Sequence, residues 1–359
     1  MQRLLRQQKS LFEVAHMIIP IANQHSYYSI PRNQDLKLTV PYKCNAPSRQ
    51  LVIDWKGDCF VCGCEAWLPV TVGNIDSFDS LANVWTSNTA QALQADLDSG
   101  AFSHCAVDRC GVMYQDKLDS HHVVSINVDE SCNLACPSCR PHNIMMSEGT
   151  EFDRKLAQVQ HIRKLLEQFE EPCHIVMSGN GDPLASAVMR PLIKQFRPNA
   201  NQTIRLFTNG LLMEKQLSDS PILNHITQYF ISIDAGSADV YHNVRRPGRW
   251  SVLMRNLEWL KLIQQRTGAE VLLKFVLQQA NHKDIQNFCE LCIDFGFNGV
   301  VNRLEDWGTW ADFAAQDAVG NITHQDHAEA IKNLRTAYDL YADQIQFNAS
   351  LVELCKPRK

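Results

Sequence analysis

The sequence predicts an α/β protein built on a mainly parallel sheet and preceded by a small cysteine-rich module. From about residue 123 onward, strand-like and helix-like segments alternate, which is typical of parallel strands joined by helical crossovers. Before that point, six of the thirteen cysteines fall between Cys44 and Cys110. So short and cysteine-rich a region is expected to need metal to stay folded. The parallel sheet is either doubly wound or rolled into a partial barrel.

Six strands are expected in the alternating region, each rich in β-branched or aromatic residues. They are VVSINV (123–128), HIVMS (174–178), TIRLF (203–207), QYFISI (228–233), EVLLKFVL (270–277) and NGVVNRL (298–304). Apolar residues at the helical period predict helices between most of them. These helices lie in 153–169, 187–196, 250–265 and 284–296. In such sheets, ligands bind at the carboxyl ends of the strands.

The N-terminal region has a different pattern. An alternating strand from Leu51 to Trp55, a turn at 56–58 and a second strand from Phe60 predict a hairpin, and a single helix follows over 78–97. The expected organisation is a lead segment (1–40), a cysteine-rich α+β module (41–118), the α/β domain (119–310) and a C-terminal helical segment (311–359).

Composition excludes several classes of protein. The chain has 359 residues, 45% of them hydrophobic, which is enough to form a large hydrophobic core, and disorder is not expected. The net charge of −5 and the lack of a basic stripe argue against a nucleic-acid partner. No segment reaches the ~18 apolar residues that a membrane span needs. A soluble cytoplasmic protein, without a membrane partner, is therefore expected.

The stretch CNLACPSC places Cys132, Cys136 and Cys139 in the spacing C-x3-C-x2-C, in a loop directly after the first strand of the alternating region. Three thiolates can hold three irons of a [4Fe-4S] cluster and leave the fourth iron open for a substrate or cosubstrate. An open position marks a reactive metal rather than a structural one. Zinc is the alternative, although it would need a fourth ligand from elsewhere.

This motif resembles the signature of the radical SAM superfamily, and the segments after the later strands resemble its other motifs in the same order. The resemblance covers roughly residues 120 to 305 and implies a partial (β/α)6 TIM-like barrel with S-adenosylmethionine (SAM) at the open iron. The cosubstrate-binding residues that it implies are Gly179, Asn180, Gly181, Asp182 and Pro183 of MSGNGDPL, Asn209 of FTNG, Ser232 and Asp234 of SIDAG, and Arg245.

The N-terminal cysteines resemble the SPASM or twitch extension, which carries an auxiliary iron–sulfur cluster. The resemblance implies that Cys44, Cys62, Cys105 and Cys110 bind one auxiliary [4Fe-4S] cluster. The additional Cys59 and Cys64 remain ambiguous. In this family the module usually follows the catalytic domain, whereas here it precedes it. A four-cysteine zinc ribbon is the alternative for this module.

Together, the resemblances imply an enzyme that reductively cleaves SAM to a 5′-deoxyadenosyl radical and abstracts a hydrogen atom from its substrate. The auxiliary cluster would assist electron transfer, and flavodoxin or ferredoxin would supply electrons. The expected substrate is a peptide or protein side chain, and the alternative is oxidation or epimerisation of a small carbohydrate-like metabolite. Arg303, Glu305, Trp307 and Trp310 follow the last strand, where a substrate can contact them, and packing over the barrel rim is the favoured alternative for the two tryptophans. A non-catalytic iron–sulfur electron carrier and a zinc-stabilised binding protein are the hypotheses from other classes.

Overall fold

The structure is a computed structural model that describes residues 43–63, 68–105, 120–306 and 308–356. The lead segment expected over 1–40 lies outside these residues. The chain divides into two compact units. The first contains the chain up to Glu130 together with 147–180 and 195–203, and the second contains 131–146, 181–194 and 204–359. The architecture is mixed α/β, with ten strands in a mostly parallel sheet.

The first unit contains five strands in the order β5-β4-β1-β2-β3. Its strands are β1 (Gln50–Ile53), β2 (Asp58–Phe60), β3 (Thr71–Asn74), β4 (His122–Ile126) and β5 (Cys173–Met177). Its helices are α1 (Ala46–Arg49), α2 (Leu81–Trp85), α3 (Asn88–Asp98) and α4 (Thr150–Glu167). The pairs β1–β2 and β2–β3 are antiparallel, whereas β4 and β5 are parallel.

The cysteine-rich module joins the parallel strands of the first unit through its own first strand. Strand β1 pairs in parallel with β4, with Gln50 opposite Val123 and Ile53 opposite Ile126. A buried lysine of α4 reinforces this junction, because Lys155 Nζ donates to the carbonyl of Val128 at 2.7 Å and also to the carbonyl of Trp55. Since Trp55 follows β1 and Val128 follows β4, one ammonium group binds the chain beyond both strand ends.

The second unit contains the later strands in the order β6-β7-β8-β9-β10. They are β6 (Gln202–Thr208, whose first two residues belong to the first unit), β7 (Ile226–Ser232), β8 (Glu270–Leu277), β9 (Asn298–Arg303) and β10 (Ile345–Phe347). The helices are α5 (Arg190–Lys194), α6 (Met213–Leu217), α7 (Ala238–Val244), α8 (Trp250–Thr267), α9 (Ile285–Phe295), α10 (His327–Tyr341) and α11 (Ala349–Cys355).

All neighbouring strands of this second unit are parallel, and their spatial order follows the chain. A doubly wound sheet would reverse its strand order at a switch point, and the order from β6 to β10 has no reversal. The winding is therefore that of a (β/α) barrel. The carboxyl ends of successive strands lie along one edge, and the connecting loops there carry most of the predicted site residues.

The predicted α/β class and the small N-terminal module are confirmed, and each of the six strands expected after residue 122 is present. Two local expectations were wrong. The single helix expected over 78–97 is divided into α2 and α3, because the Ser87 hydroxyl accepts a hydrogen bond from Ala90 N at 3.3 Å and begins a new helix. Strand β10 was not predicted in the C-terminal segment. Within the described ranges, no helix is both long and apolar enough to cross a membrane.

Candidate functional site

The three predicted cluster ligands lie in the loop that follows β4, at the start of the second unit. Backbone bonds fix the shape of this loop: Cys132 N donates to the carbonyl of Ile144 at 2.8 Å, and Cys139 N donates to that of Cys136 at 2.9 Å. Cys136 is buried, Cys132 is partly buried and Cys139 is exposed. The loop therefore presents three thiols from irregular backbone, with the last of them outermost.

Nitrogen donors surround the two inner sulfur atoms. Cys132 Sγ accepts from Leu134 N at 3.4 Å and from Asn209 Nδ2 at 3.9 Å, and Arg245 Nη1 approaches Cys136 Sγ to 3.7 Å. Burial raises the pKa of the Cys132 thiol to about 12 and also raises that of Cys136, so each needs positive charge nearby to be a thiolate. Hydrogen bonds to cluster sulfurs are a usual means of tuning iron–sulfur sites. The donor set fits thiolate ligands of such a cluster.

A single metal ion fits this loop less well. Among the described residues, no three or more His, Cys, Asp or Glu side chains are arranged to hold a metal ion. In a [4Fe-4S] cluster each thiolate binds a separate iron.

The segment after β5 is divided between the units. Gly179 and Asn180 end a stretch of the first unit, and Gly181 begins one of the second. In the first unit, Asn127 Oδ1 accepts from Ser178 Oγ at 2.6 Å and from Gly179 N at 3.0 Å. Gly179 has a φ of +98°, in the region that favours glycine. Sequence reasoning did not identify Asn127, whose only signal is its position directly after β4.

Asp182 is fully buried and both of its carboxylate oxygens are occupied. Oδ1 accepts from Leu184 N at 2.9 Å, and Oδ2 accepts from Thr208 Oγ1 at 2.8 Å and Asn209 N at 2.7 Å. Burial raises the pKa of Asp182, and these hydrogen bonds oppose that increase. Asp182 thus holds the segment containing Pro183 against the end of β6. Asn209, which follows it there, directs its amide toward Cys132.

Asp234 and Arg245 form a buried ion pair after β7, with 2.7 Å between Arg245 Nη2 and Asp234 Oδ2. Asp234 has a φ of +53° and accepts from Val276 N at 2.8 Å. Burial opposes the charge of Arg245, but Asp234 and Cys136 outweigh it, so the pKa of the guanidinium is raised. Within the described residues, Arg245 Nε is buried and has no hydrogen-bond partner. Such an orphaned donor fits a site that binds an anionic group.

The structure therefore connects six predicted residues of the second unit by direct contacts: Cys132 to Asn209, Asn209 to Asp182, and Cys136 through Arg245 to Asp234. It does not bring every predicted residue into this network. Ser232 is the last residue of β7, and among the described residues neither Ser232 nor Cys139 forms a side-chain hydrogen bond or ion pair with the others.

Lys274 is a further residue that sequence reasoning did not identify. It lies on β8 opposite Ser232, and its Nζ is 5.5 Å from the centre of the Phe207 ring. Burial lowers the pKa of Lys274, and neighbouring Asp234 opposes that decrease. The available signal was a lysine within the otherwise apolar strand EVLLKFVL.

A cavity of about 380 Å³ lies beside the cysteine loop in the second unit. Its lining includes Pro137, Asn243, Arg246, Gln278, Trp310 and Gln316. Of the four residues expected near the substrate, Trp310 is therefore at the cavity, whereas Arg303 forms an ion pair with Asp317 at 3.0 Å. Trp307 lies outside the described residues.

The predicted auxiliary ligands lie in the first unit as far as they are described. Cys44 precedes α1, Cys62 follows β2 and Cys105 follows α3, whereas Cys110 lies outside the described residues. Gln94 of α3 donates to the carbonyl of Cys44 at 3.0 Å.

The structure describes one of the two ambiguous cysteines, Cys59. Cys59 is fully buried in β2, and burial followed by nearby Asp58 raises the pKa of its thiol. Its Sγ donates to the carbonyl of Gly57 at 3.9 Å, which favours the thiol over the thiolate. Cys64 lies outside the described residues.

Family comparisons identify both regions. The radical SAM superfamily matches residues 126–301, and the SPASM iron–sulfur cluster-binding domain matches residues 44–111. Together, the two matches cover well over half of the chain.

Among curated relatives, the GTP 3',8-cyclase of Limosilactobacillus fermentum is 22% identical over 57% of this chain and 62% of its own length. The mycofactocin maturase of Mycolicibacterium smegmatis is 22% identical over 57% of this chain and 50% of its own length. The AdoMet-dependent heme synthase of Oleidesulfovibrio alaskensis is 27% identical over 49% of this chain and 44% of its own length. The chain thus matches about half the length of these relatives.

Two solved structures show a distant similarity to the chain. Streptococcus suis SuiB bound to the precursor peptide SuiA has a TM-score of 0.40 and 11% identity over 86% of this chain and 73% of that one. A radical SAM methyltransferase from Sphaerobacter thermophilus has a TM-score of 0.37 and 15% identity over 64% of this chain and 66% of that one.

The two matched domains imply a [4Fe-4S] cluster that binds SAM and auxiliary iron–sulfur clusters. Members of the superfamily include maturases and a heme synthase. The chain belongs to the radical SAM superfamily and carries a SPASM domain N-terminal to its radical SAM domain.

Proposed function

We propose that the chain is an enzyme that reductively cleaves SAM and uses the product to modify a side chain of a peptide or protein. The observation that carries this proposal is the network of nitrogen donors around Cys132 and Cys136, which includes the Asp234–Arg245 ion pair. When bound, the cluster and SAM would supply the electron transfer and the radical that abstracts a substrate hydrogen. The protein's part is to bind, orient and exclude water.

Each part of the second-unit network has a role in this proposal. Cys132, Cys136 and Cys139 would bind the cluster, and Arg245 would bind the carboxylate of SAM, which suits its orphaned Nε. Asp234 fixes the guanidinium through a charge-assisted hydrogen bond. Asp182 positions Asn209 without needing to touch SAM, since three donors already occupy its oxygens.

The roles of the remaining predicted residues follow the family resemblance. The backbone of 179–183 would bind the amine of SAM, and Ser232 would lie near its ribose. Cys44, Cys62, Cys105 and Cys110 would hold an auxiliary [4Fe-4S] cluster that assists electron transfer. Flavodoxin or ferredoxin would donate electrons. The domain boundaries at 40, 118 and 310 stay predictions.

A peptide substrate is favoured by the SPASM domain, by a relative named a maturase, and by the cavity beside the cysteine loop. Three side-chain amides, one tryptophan and one arginine contribute to that cavity. Amides can bind the donors and acceptors of a peptide backbone, and tryptophan supplies apolar contact area. This lining is suited to a segment of polypeptide.

The test is anaerobic reconstitution followed by iron and sulfide counting and a SAM-cleavage assay with dithionite. Native protein should hold about eight irons, as two cubane clusters require, and release 5′-deoxyadenosine. Cys139→Ala should lose SAM cleavage, whereas Cys44→Ala should keep the SAM-binding cluster. Cys355→Ala, which changes a cysteine outside both sets, is the matched control. Wild-type cleavage by Cys139→Ala would refute the assignment of the cluster.

A further inference from the structure

We infer that the cavity beside the cysteine loop is a subsite for a carboxylate group of the substrate peptide. Arg246 would be its ion-pair partner and Gln278 its hydrogen-bond donor. This inference rests on the proposed function and deepens it, because it specifies a chemical feature that the substrate must carry. The carboxylate can come from either of two groups: an acidic side chain or the C-terminus of the peptide.

The charge of the lining is the first observation. Of the residues that line the cavity, Arg246 alone is charged. Its Nε donates to the carbonyl of Asn243 at 2.9 Å, which fixes the plane of the guanidinium and leaves both Nη groups for another partner. Among the described residues, no carboxylate forms an ion pair with Arg246. Arginine presents paired N–H donors that match a carboxylate.

Gln278 supplies an independent observation. Its side chain is buried, with 3% of the residue exposed, yet Nε2 has no hydrogen-bond partner within the described ranges. A buried donor without a partner destabilises the fold, so native proteins usually provide it with one. The backbone of Gln278 is itself fixed, because its N–H donates to Asn281 Oδ1 at 2.8 Å. A buried donor that lines a cavity and has no partner fits a bound acceptor.

The walls place this acceptor close to the cluster loop. Pro137 lies between Cys136 and Cys139, and Ala135 N donates to the carbonyl of Arg246 at 2.6 Å, which fastens the arginine segment to that loop. Two other segments that line the cavity are also joined. Gln279 N donates to the carbonyl of Gln316 at 2.8 Å, so the segment after β9 is held to the end of β8. The cavity volume of about 380 Å³ accommodates an amino-acid residue.

The test measures binding in the reconstituted full-length protein, independently of turnover. Because the chain has seven tryptophans, protein labelled with 5-fluorotryptophan gives separate fluorine NMR signals, and Trp310→Phe identifies the signal of the cavity. Three blocked peptides serve as probes. Acetyl-glycyl-glutamyl-glycinamide carries only a side-chain carboxylate, acetyl-triglycine carries only a C-terminal one, and acetyl-glycyl-glutaminyl-glycinamide carries neither.

At least one carboxylate peptide should shift the Trp310 signal with saturation, and the one that does so more strongly identifies the source. The glutamine peptide should bind about fivefold more weakly or not at all, as for loss of a partly exposed ion pair. Arg246→Gln should weaken carboxylate binding about fivefold, and Gln278→Leu about tenfold, because a hydrogen bond to a charged group is lost. Arg249→Gln, which removes a nearby exposed arginine that does not line the cavity, is the matched control.

Three outcomes would overturn the inference: equal binding of the glutamine peptide, unchanged affinity in Arg246→Gln, or no binding of either carboxylate peptide at millimolar concentration. SAM cleavage by the same preparation is measured in parallel. Cleavage without carboxylate binding refutes this subsite alone, whereas an absence of cleavage refutes the proposed function. The two failures are therefore distinguishable.

Discussion

The buried carboxylate of Asp182 should be energetically coupled to the hydroxyl of Thr208. These two groups join the segment after β5 to the end of β6 through a 2.8 Å hydrogen bond between two buried residues. We consider Asp182→Asn, Thr208→Val and the double variant. Thr336→Val is the matched control, since Thr336 is a half-buried threonine whose hydroxyl bonds to the carbonyl of Lys332 within α10.

The contacts set the expected magnitudes. Thr208→Val removes the hydrogen bond that the hydroxyl donates to Asp182 and the one that it accepts from Gly210 N at 3.2 Å, so it should reduce the free energy of unfolding by at least about 1.5–3 kcal/mol. Asp182→Asn turns an amide NH2 toward Leu184 N or Asn209 N, which leaves a buried donor unsatisfied at about 1–3 kcal/mol, although removal of the buried charge offsets part of this.

The double variant loses the shared bond only once. Its cost should therefore fall short of the sum of the single costs by about 1 kcal/mol or more. The control, Thr336→Val, should change stability by at most about 0.5 kcal/mol.

Anaerobic denaturant unfolding of the reconstituted proteins, followed by circular dichroism, provides the four free energies. The midpoint and the slope must both be fitted, because a changed slope would indicate loss of two-state behaviour. Additive costs at positions 182 and 208 would refute the reasoning, since the two groups would then stabilise the fold independently. Costs as small as that of the control would show that the carboxylate does not hold the two segments together.

Two further changes test the packing of each unit. Burial lowers the pKa of Lys155, so between that pKa and 10.5 the unfolded chain binds more protons, and native stability relative to Lys155→Met should rise with pH. A pH-independent difference in unfolding free energy would contradict this. Gly236→Ala should cost at least 2–3 kcal/mol, roughly, because its methyl would lie 2.1 Å from Phe288 N, whereas Gly268→Ala should cost about 1 kcal/mol. Equal thermal shifts would refute the close approach at Gly236.

The six strands of the alternating region could be predicted because each is a run of β-branched and apolar residues that is buried in the fold. Strand β10 has only three residues, too few for any period to emerge, and its pairing with β9 depends on a distant part of the chain. The division between α2 and α3 was hidden because the apolar period continues across it. There, a local hydrogen bond of Ser87 outweighs the hydrophobic pattern.

The candidate site was predictable where a motif carries its own chemistry. Three closely spaced cysteines indicate a cluster from spacing alone, and the motifs containing Asp182, Asp234 and Arg245 were recognised by resemblance. Their partners were not predictable in the same way. Asn127 and Gln278 are ordinary polar residues in sequence, and their significance arises only from what the fold places beside them.

The parallel pairing of β1 with β4 has a consequence for synthesis of the chain. Strand β1 leaves the ribosome before β4, which follows it by roughly 70 residues, and a pairing so distant in sequence is slow to form. Until β4 emerges, one edge of β1 remains open to unwanted strand pairing. The SPASM region therefore forms its full set of strand pairs only after β4 has been synthesised. Although it is N-terminal, it is not expected to finish folding before the following domain begins to emerge.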